Sequence, residues 1–259
     1  MTNRDAPFTG VGVALVTLFR NDGSLDAPAT TDLATRLVEA GVRAVLVAGS
    51  TGEAAALEPG ERIELLEAVG AAIRPLGATL IAGTGAPAAA QAARLTRDAV
   101  DSGADVLLAL SPPWASDPRP YYDTVAKATG EVPLLAYHYP AASAPGIAVR
   151  FLPDLPVVGC KDSSGDCNRL LETLGLWDGY LYTGSSAIVS YAGQLDLPGV
   201  ILALANAEPE RCVQAFGGDA TAQRQLAAGN RAMHEGGFPG GIKQLTAARW
   251  GTSTAARLG

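Results

Sequence analysis

Ala44-Val45-Leu46-Val47 runs apolar without a break, and Gly49-Ser50-Thr51-Gly52-Glu53 follows it. A strand with no polar alternation is buried on both faces, which is the habit of parallel sheets. Residues 59–73 then take up a helical period. Strand, polar turn and helix make one βα unit.

The unit recurs along the chain. Residues 11–16, 79–82, 105–110, 133–137, 157–160, 180–183 and 200–203 give seven further strands of the same kind. Helical patterns fall between them at 28–40, 88–102, 121–129, 148–152, 168–174 and 186–194, with Gly41 and Gly103 as stops. Eight buried strands alternating with helices over about 200 residues is the arithmetic of a (β/α)8 TIM barrel, an α/β fold. A doubly wound sheet would favour a Gly-rich phosphate turn after its first strand. Thr17-Leu18-Phe19-Arg20 stands there instead. Beyond the eighth strand, 209–216, 220–235 and 241–250 read as helices. The expected organisation is a barrel catalytic domain over 1–206 and a C-terminal helical extension over 207–259.

Composition narrows the function classes. A chain of 259 residues, 48% hydrophobic, can bury a large core. Its net charge of −7 argues against a nucleic-acid partner. Three cysteines and two histidines, with no CxxC, suggest neither a disulfide framework nor a zinc cluster. Residues 1–10 lack the apolar core of a signal peptide, and no apolar run is long enough to span a bilayer. A reduced cytoplasmic setting is the expectation.

In such a barrel, function gathers at the C-terminal strand ends. The sixth run, Val157-Val158-Gly159-Cys160, delivers Lys161. Of the three lysines, Lys127, Lys161 and Lys243, it alone follows an apolar β-like run. Desolvation disfavours the charged amine, and a neutral amine attacks carbonyls. The alternative is a strand-end lysine that snorkels to solvent or pairs with Asp162. The fifth strand brings Tyr137-His138-Tyr139-Pro140, in which Tyr137 could move protons or simply plug the core. Alternation sends Tyr137 and Tyr139 to one side and His138 to the other, where a structural hydrogen bond is expected. Cys160 is read as a small core residue on the face opposite Lys161. Ser50 and Thr51, flanked by glycines, offer donors to a carboxylate, or cap a plain turn. Glu53 is read as structural. A lysine, a phenol and a carboxylate cradle on one rim suit a 2-oxo acid. The ketone would condense with Lys161, and the iminium would serve as electron sink, so neither cofactor nor metal is called for.

Three motifs in order now resemble one family. They are Gly49-Ser50-Thr51-Gly52-Glu53, Tyr137-His138-Tyr139-Pro140, and Gly159-Cys160-Lys161-Asp162-Ser163-Ser164-Gly165-Asp166. The chain resembles, from about Phe8 onward, the dihydrodipicolinate synthase / N-acetylneuraminate lyase family of class I pyruvate-dependent aldolases. The resemblance implies Lys161 as the Schiff-base lysine, Tyr137 as the proton-transfer residue, and Ser50 and Thr51 as ligands of the pyruvate carboxylate. Gly184 and Ile201 lie where the family lines the pyruvate pocket, and Ser185 joins them as a substrate-binding residue. It also implies a homo-oligomer, a dimer or tetramer. Many members continue beyond Thr254-Ala255-Ala256-Arg257-Leu258-Gly259 with a further helix.

Departures from the family bear on the partner of pyruvate. Ala141-Ala142-Ser143-Ala144-Pro145 lacks the arginine with which dihydrodipicolinate synthases hold the aldehyde's carboxylate. Ser111-Pro112-Pro113-Trp114-Ala115 puts an indole where those synthases carry a relay tyrosine. Ser185-Ser186 replaces the Asp-Glu pair of sialic acid lyases. The expected function is pyruvate aldolase/lyase chemistry on a small or fairly apolar aldehyde, or on a 2-keto-3-deoxy acid. The alternatives are a sugar-acid dehydratase, a dihydrodipicolinate synthase, and a non-catalytic 2-oxo-acid-binding protein.

Overall fold

The computed structural model describes residues 5–258. The reading of residues 1–10 as free of a leader, and both outer limits of the two expected domains, reach outside that range. Eight parallel strands close into one barrel in chain order, β1 pairing with both β2 and β8. They are β1 Gly10–Ala14, β2 Ala44–Val47, β3 Thr79–Gly83, β4 Val106–Leu110, β5 Leu134–His138, β6 Gly159–Asp162, β7 Tyr180–Thr183 and β8 Gly199–Leu202.

The helices are α1 Ala27–Glu39, α2 Pro59–Ile73, α3 Ala89–Asp101, α4 Arg119–Ala126, α5 Cys167–Leu176, α6 Val189–Gln194, α7 Pro209–Phe216, α8 Ala220–Glu235 and α9 Gly240–Trp250. The short helix expected after β5 is a 3-10 turn, Val149–Asp154, because Pro153 cannot donate to an α-helical ladder. The chain is thus a (β/α)8 barrel with helices α8 and α9 beyond it.

Period-2 alternation sorts the strand residues. Ala14, Leu46, Ile81, Leu108, Leu135 and Ile201 fill the barrel interior. Val13, Val45, Leu107, Ala136, Cys160 and Leu202 face the helices. Burying a leucine or valine contributes roughly 1.5–3 kcal/mol on either face, so an unbroken apolar run suits a strand covered on both sides. At the N-terminal mouth, Phe8 stacks on Tyr182 at 4.6 Å, and the Tyr182 hydroxyl donates to the Phe8 carbonyl at 2.9 Å.

The sixth strand differs from its expected limits. It starts at Gly159 and contains Lys161 and Asp162, two residues later than the apolar run alone suggests. The three cysteines are free. Among the described residues no helix is long and apolar enough to cross a membrane.

Candidate active site

β6 is buried along its whole length although it carries two charged residues. Alternation explains how. Asp162 faces outward and accepts from Arg169 Nε of α5 at 2.6 Å. It also accepts from the amide and hydroxyl of Ser164, at 2.8 and 2.6 Å. Asp162 is therefore not the counter-charge of Lys161. The rest of that motif is local structure. Gly165 has φ +73°, and Asp166 caps α5 by accepting from the amides of Asn168 and Arg169.

Lys161 faces inward and is 4% exposed. Its Nζ lies 4.3 Å from the centre of the Tyr137 ring. Among the described residues no carboxylate pairs with it. Burial pushes the amine down from 10.5 to about 7, so a large fraction is neutral near pH 7. Lys243 is the informative contrast. It too is fully buried, but Glu53 pairs with it and the Ala255 carbonyl accepts from it at 2.5 Å. One buried lysine is neutralised by a partner and the other is left bare.

Tyr137 stands beside Lys161 in register between β5 and β6. Its phenol accepts from Ser163 Oγ at 3.3 Å, and Ser50 lines the same cavity. Burial raises this phenol well above its ordinary value and keeps it protonated. Tyr139 stacks on the same side at 5.8 Å. His138 turns to the outer face, where Nδ1 accepts from the Ile147 amide at 2.9 Å. Burial pushes His138 down to about 4, so it is a neutral structural acceptor. Cys160 lies in the outer core, its thiol pushed up to about 12 by burial.

Gly184, just after β7, lies against Lys161. A Cβ there would collide with Ser163 Oγ and lie 2.8 Å from Lys161 Cε. The lysine stem thus passes where only glycine leaves room. Ile201 is buried in the barrel interior. Ser185 spends its hydroxyl on the Ala187 amide at 3.4 Å, and Thr51 stands half-buried beside Ser50.

A cavity of about 630 Å³ opens from Ser50 and Tyr137. Lys161, Thr51, Gly184, Ser185 and Ile201 are not in its lining; Lys161 meets it through the Tyr137 ring. Its walls are largely apolar, with Leu57, Leu108, Leu110, Ala142, Phe238 and Leu258 among them. Two polar features escaped the sequence reading. The Ser111 hydroxyl is buried without a partner. Arg62, the one basic side chain in the lining, donates to the carbonyls of Gly83 and Ala54 at 3.1 and 2.6 Å. Nothing local in 59–73 distinguishes Arg62 from a surface arginine. No group of three or more His, Cys, Asp or Glu able to hold a metal occurs among the described residues.

A closed parallel barrel with a desolvated amine beside a buried phenol is an arrangement suited to amine–carbonyl chemistry. Residues 7–233 match the Dihydrodipicolinate synthetase family. A curated relative, the 4-hydroxy-tetrahydrodipicolinate synthase of Natronomonas pharaonis, is 35% identical over 239 residues, 85% of this chain and 79% of its own. Among solved structures, a monomeric dihydrodipicolinate synthase variant superposes with TM-score 0.89 at 23% identity, covering 97% of this chain and 90% of that one. A prophage protein of E. coli, solved in complex with pyruvate, superposes with TM-score 0.86 at 23% identity over 97% and 92%. The chain belongs to the dihydrodipicolinate synthetase family and is a lyase of its pyruvate-dependent class I aldolase type.

Proposed function

We propose that Lys161 is the amine that condenses with pyruvate, and that the enzyme makes or breaks a C–C bond between pyruvate and an aldehyde. The observation that carries this is the bare, buried Lys161 amine lying against Tyr137, which shares one cavity with Ser50. The neutral amine adds to the ketone carbon, and loss of water gives the iminium. Loss of a C3 proton gives an enamine, and attack on the aldehyde forms the bond; cleavage runs the same steps backward. Tyr137, held protonated by burial, moves the protons. Ser50 and Thr51 hold the substrate carboxylate, while Gly184, Ser185 and Ile201 shape the floor. The pyruvate held by the prophage relative supports the choice of 2-oxo acid.

The largely apolar cavity supports a small or weakly polar aldehyde, or a 2-keto-3-deoxy acid making few hydroxyl contacts. Each unpaired hydroxyl in such walls would cost desolvation. A second reading, the synthase reaction of the Natronomonas relative, rests on that relative's name. The absence of an arginine from 141–145 weighs against it. A homo-oligomer is part of the proposal, on the resemblance to the family.

Pyruvate and borohydride, followed by intact mass and peptide mapping, test the chemistry. An adduct on Lys161 is expected. No adduct, where a control aldolase is labelled, would sink the proposal. Product analysis then separates cleavage, which releases pyruvate, from dehydration, which keeps the carbon count. Light scattering reads the assembly.

A further inference from the structure

The segment after α9 returns to the barrel rim. Residues 251–258 carry no helix or strand, yet Arg257 is tied to three separate parts of the rim. Its guanidinium grips Glu61 of α2 with two bonds of 2.6 Å, a bidentate geometry that fixes orientation as well as distance. It also donates to the carbonyls of Gly23 and Ala56, at 2.8 and 2.9 Å, and lies 4.4 Å over the Phe19 ring. The amides of Arg257 and Leu258 both donate to Glu53 Oε2 at 2.7 Å. One residue thereby joins the loop after β1, the loop after β2, and α2.

Glu53 belongs to the turn that carries Ser50. Its amide donates to the Ser50 carbonyl at 3.0 Å, and its backbone has φ +55°. A left-handed conformation is uncommon outside glycine and persists where surrounding contacts over-determine it. Those contacts come from residues about 200 positions away: the two amides above and Lys243. Thr17 Oγ1 holds the other flank by donating to the Gly52 carbonyl at 2.7 Å. Leu258 lines the same cavity as Ser50 and Tyr137.

We propose that Arg257 is a positioning residue for the substrate-carboxylate turn 49–53, and that the 257–258 backbone fixes Glu53 so that Ser50 is preset beside Tyr137. This rests on the reading that Ser50 binds the pyruvate carboxylate. The helical extension thereby becomes part of the pyruvate site.

The test uses the full chain with Arg257→Ala, Arg257→Lys and Glu61→Gln. Two readouts are taken. The first is hydrogen exchange of the peptide covering 49–57 without ligand. The second is the pyruvate concentration giving half-maximal borohydride adduct, together with the maximal adduct rate. For Arg257→Ala the expected result is about tenfold faster exchange and about a tenfold higher half-saturating pyruvate, the maximal rate staying within about twofold. Arg257→Lys, which keeps one charged bond to Glu61, recovers part of both. Glu61→Gln, which leaves Arg257 in place should the alanine variant fail to fold, moves both in the same direction by about threefold. Unchanged exchange and unchanged half-saturation overturn the proposal. So does a lower maximal rate at unchanged half-saturation, the signature of a structural role alone. If the unsubstituted enzyme forms no adduct, the Schiff-base reading fails, while exchange over 49–57 still decides whether Arg257 holds the turn.

Discussion

Replacing Lys161 by methionine stabilises the fold, and does so most at low pH. Burial takes the amine from 10.5 to about 7. Below about pH 7 the lysine is protonated in both the folded and the unfolded chain, and folding carries the charge into the barrel. At ~1.36 kcal/mol per pH step, that difference in proton affinity is a penalty of ~5 kcal/mol. Between 7 and 10.5 the unfolded chain binds the extra proton, so stability of the unsubstituted protein rises with pH. The penalty falls to ~2 kcal/mol at about pH 9. Methionine fills a similar volume and never ionises. Urea unfolding of both proteins at about pH 6, 7.5 and 9, at one fixed protein concentration, reads the difference directly. The variant is expected to lead by ~5 kcal/mol at the lowest pH, with the gap closing toward ~2 kcal/mol at the highest. A gap that does not change with pH would mean that the folded lysine keeps its ordinary proton affinity, and the argument for a bare amine would fall.

Three further outcomes are expected. Tyr137→Phe keeps the pyruvate adduct on Lys161 but lowers turnover by about 10²–10⁴-fold, as measured by pyruvate release from 2-keto-3-deoxy acids. Gly184→Ala displaces the lysine stem, which a Cβ would meet at 2.8 Å; it loses adduct formation and about 1–3 kcal/mol in urea unfolding. Glu53→Gln strips the charge that neutralises buried Lys243, and chemical denaturation should show a loss of about 3–5 kcal/mol.

The barrel was legible because each strand is an unbroken apolar run, and a helical period between runs leaves little choice of topology. The β6 boundary was misplaced for a physical reason. Charged residues read as the end of a strand, yet Lys161 is tolerated inside as a largely neutral amine and Asp162 outside as the partner of Arg169. Strand-end geometry brings Tyr137 against Lys161, and Ser50 into one cavity with Tyr137. The Lys243–Glu53 pair and the Arg257 clamp do not follow from it, since they join residues about 200 positions apart and neither end has a local pattern. Alternation placed His138 correctly, but its Ile147 partner depends on the course of a loop that carries no period.

The stacked pair of Phe8 and Tyr182, tied by the hydrogen bond to the Phe8 carbonyl, sets two aromatic rings in the barrel interior at that end, away from the cavity that Ser50 and Tyr137 line. On the proposed chemistry, traffic would then pass through the cavity mouth on the other side. The water expelled when an amine condenses with a ketone has to depart by the rim where the 2-oxo acid came in. The water that later hydrolyses the iminium has to return by the same rim. If Lys161 forms the iminium as proposed, a bound acceptor standing in that mouth would hold off hydrolysis until it reacts or leaves, and the aromatic pair at the opposite end would help set the order of events.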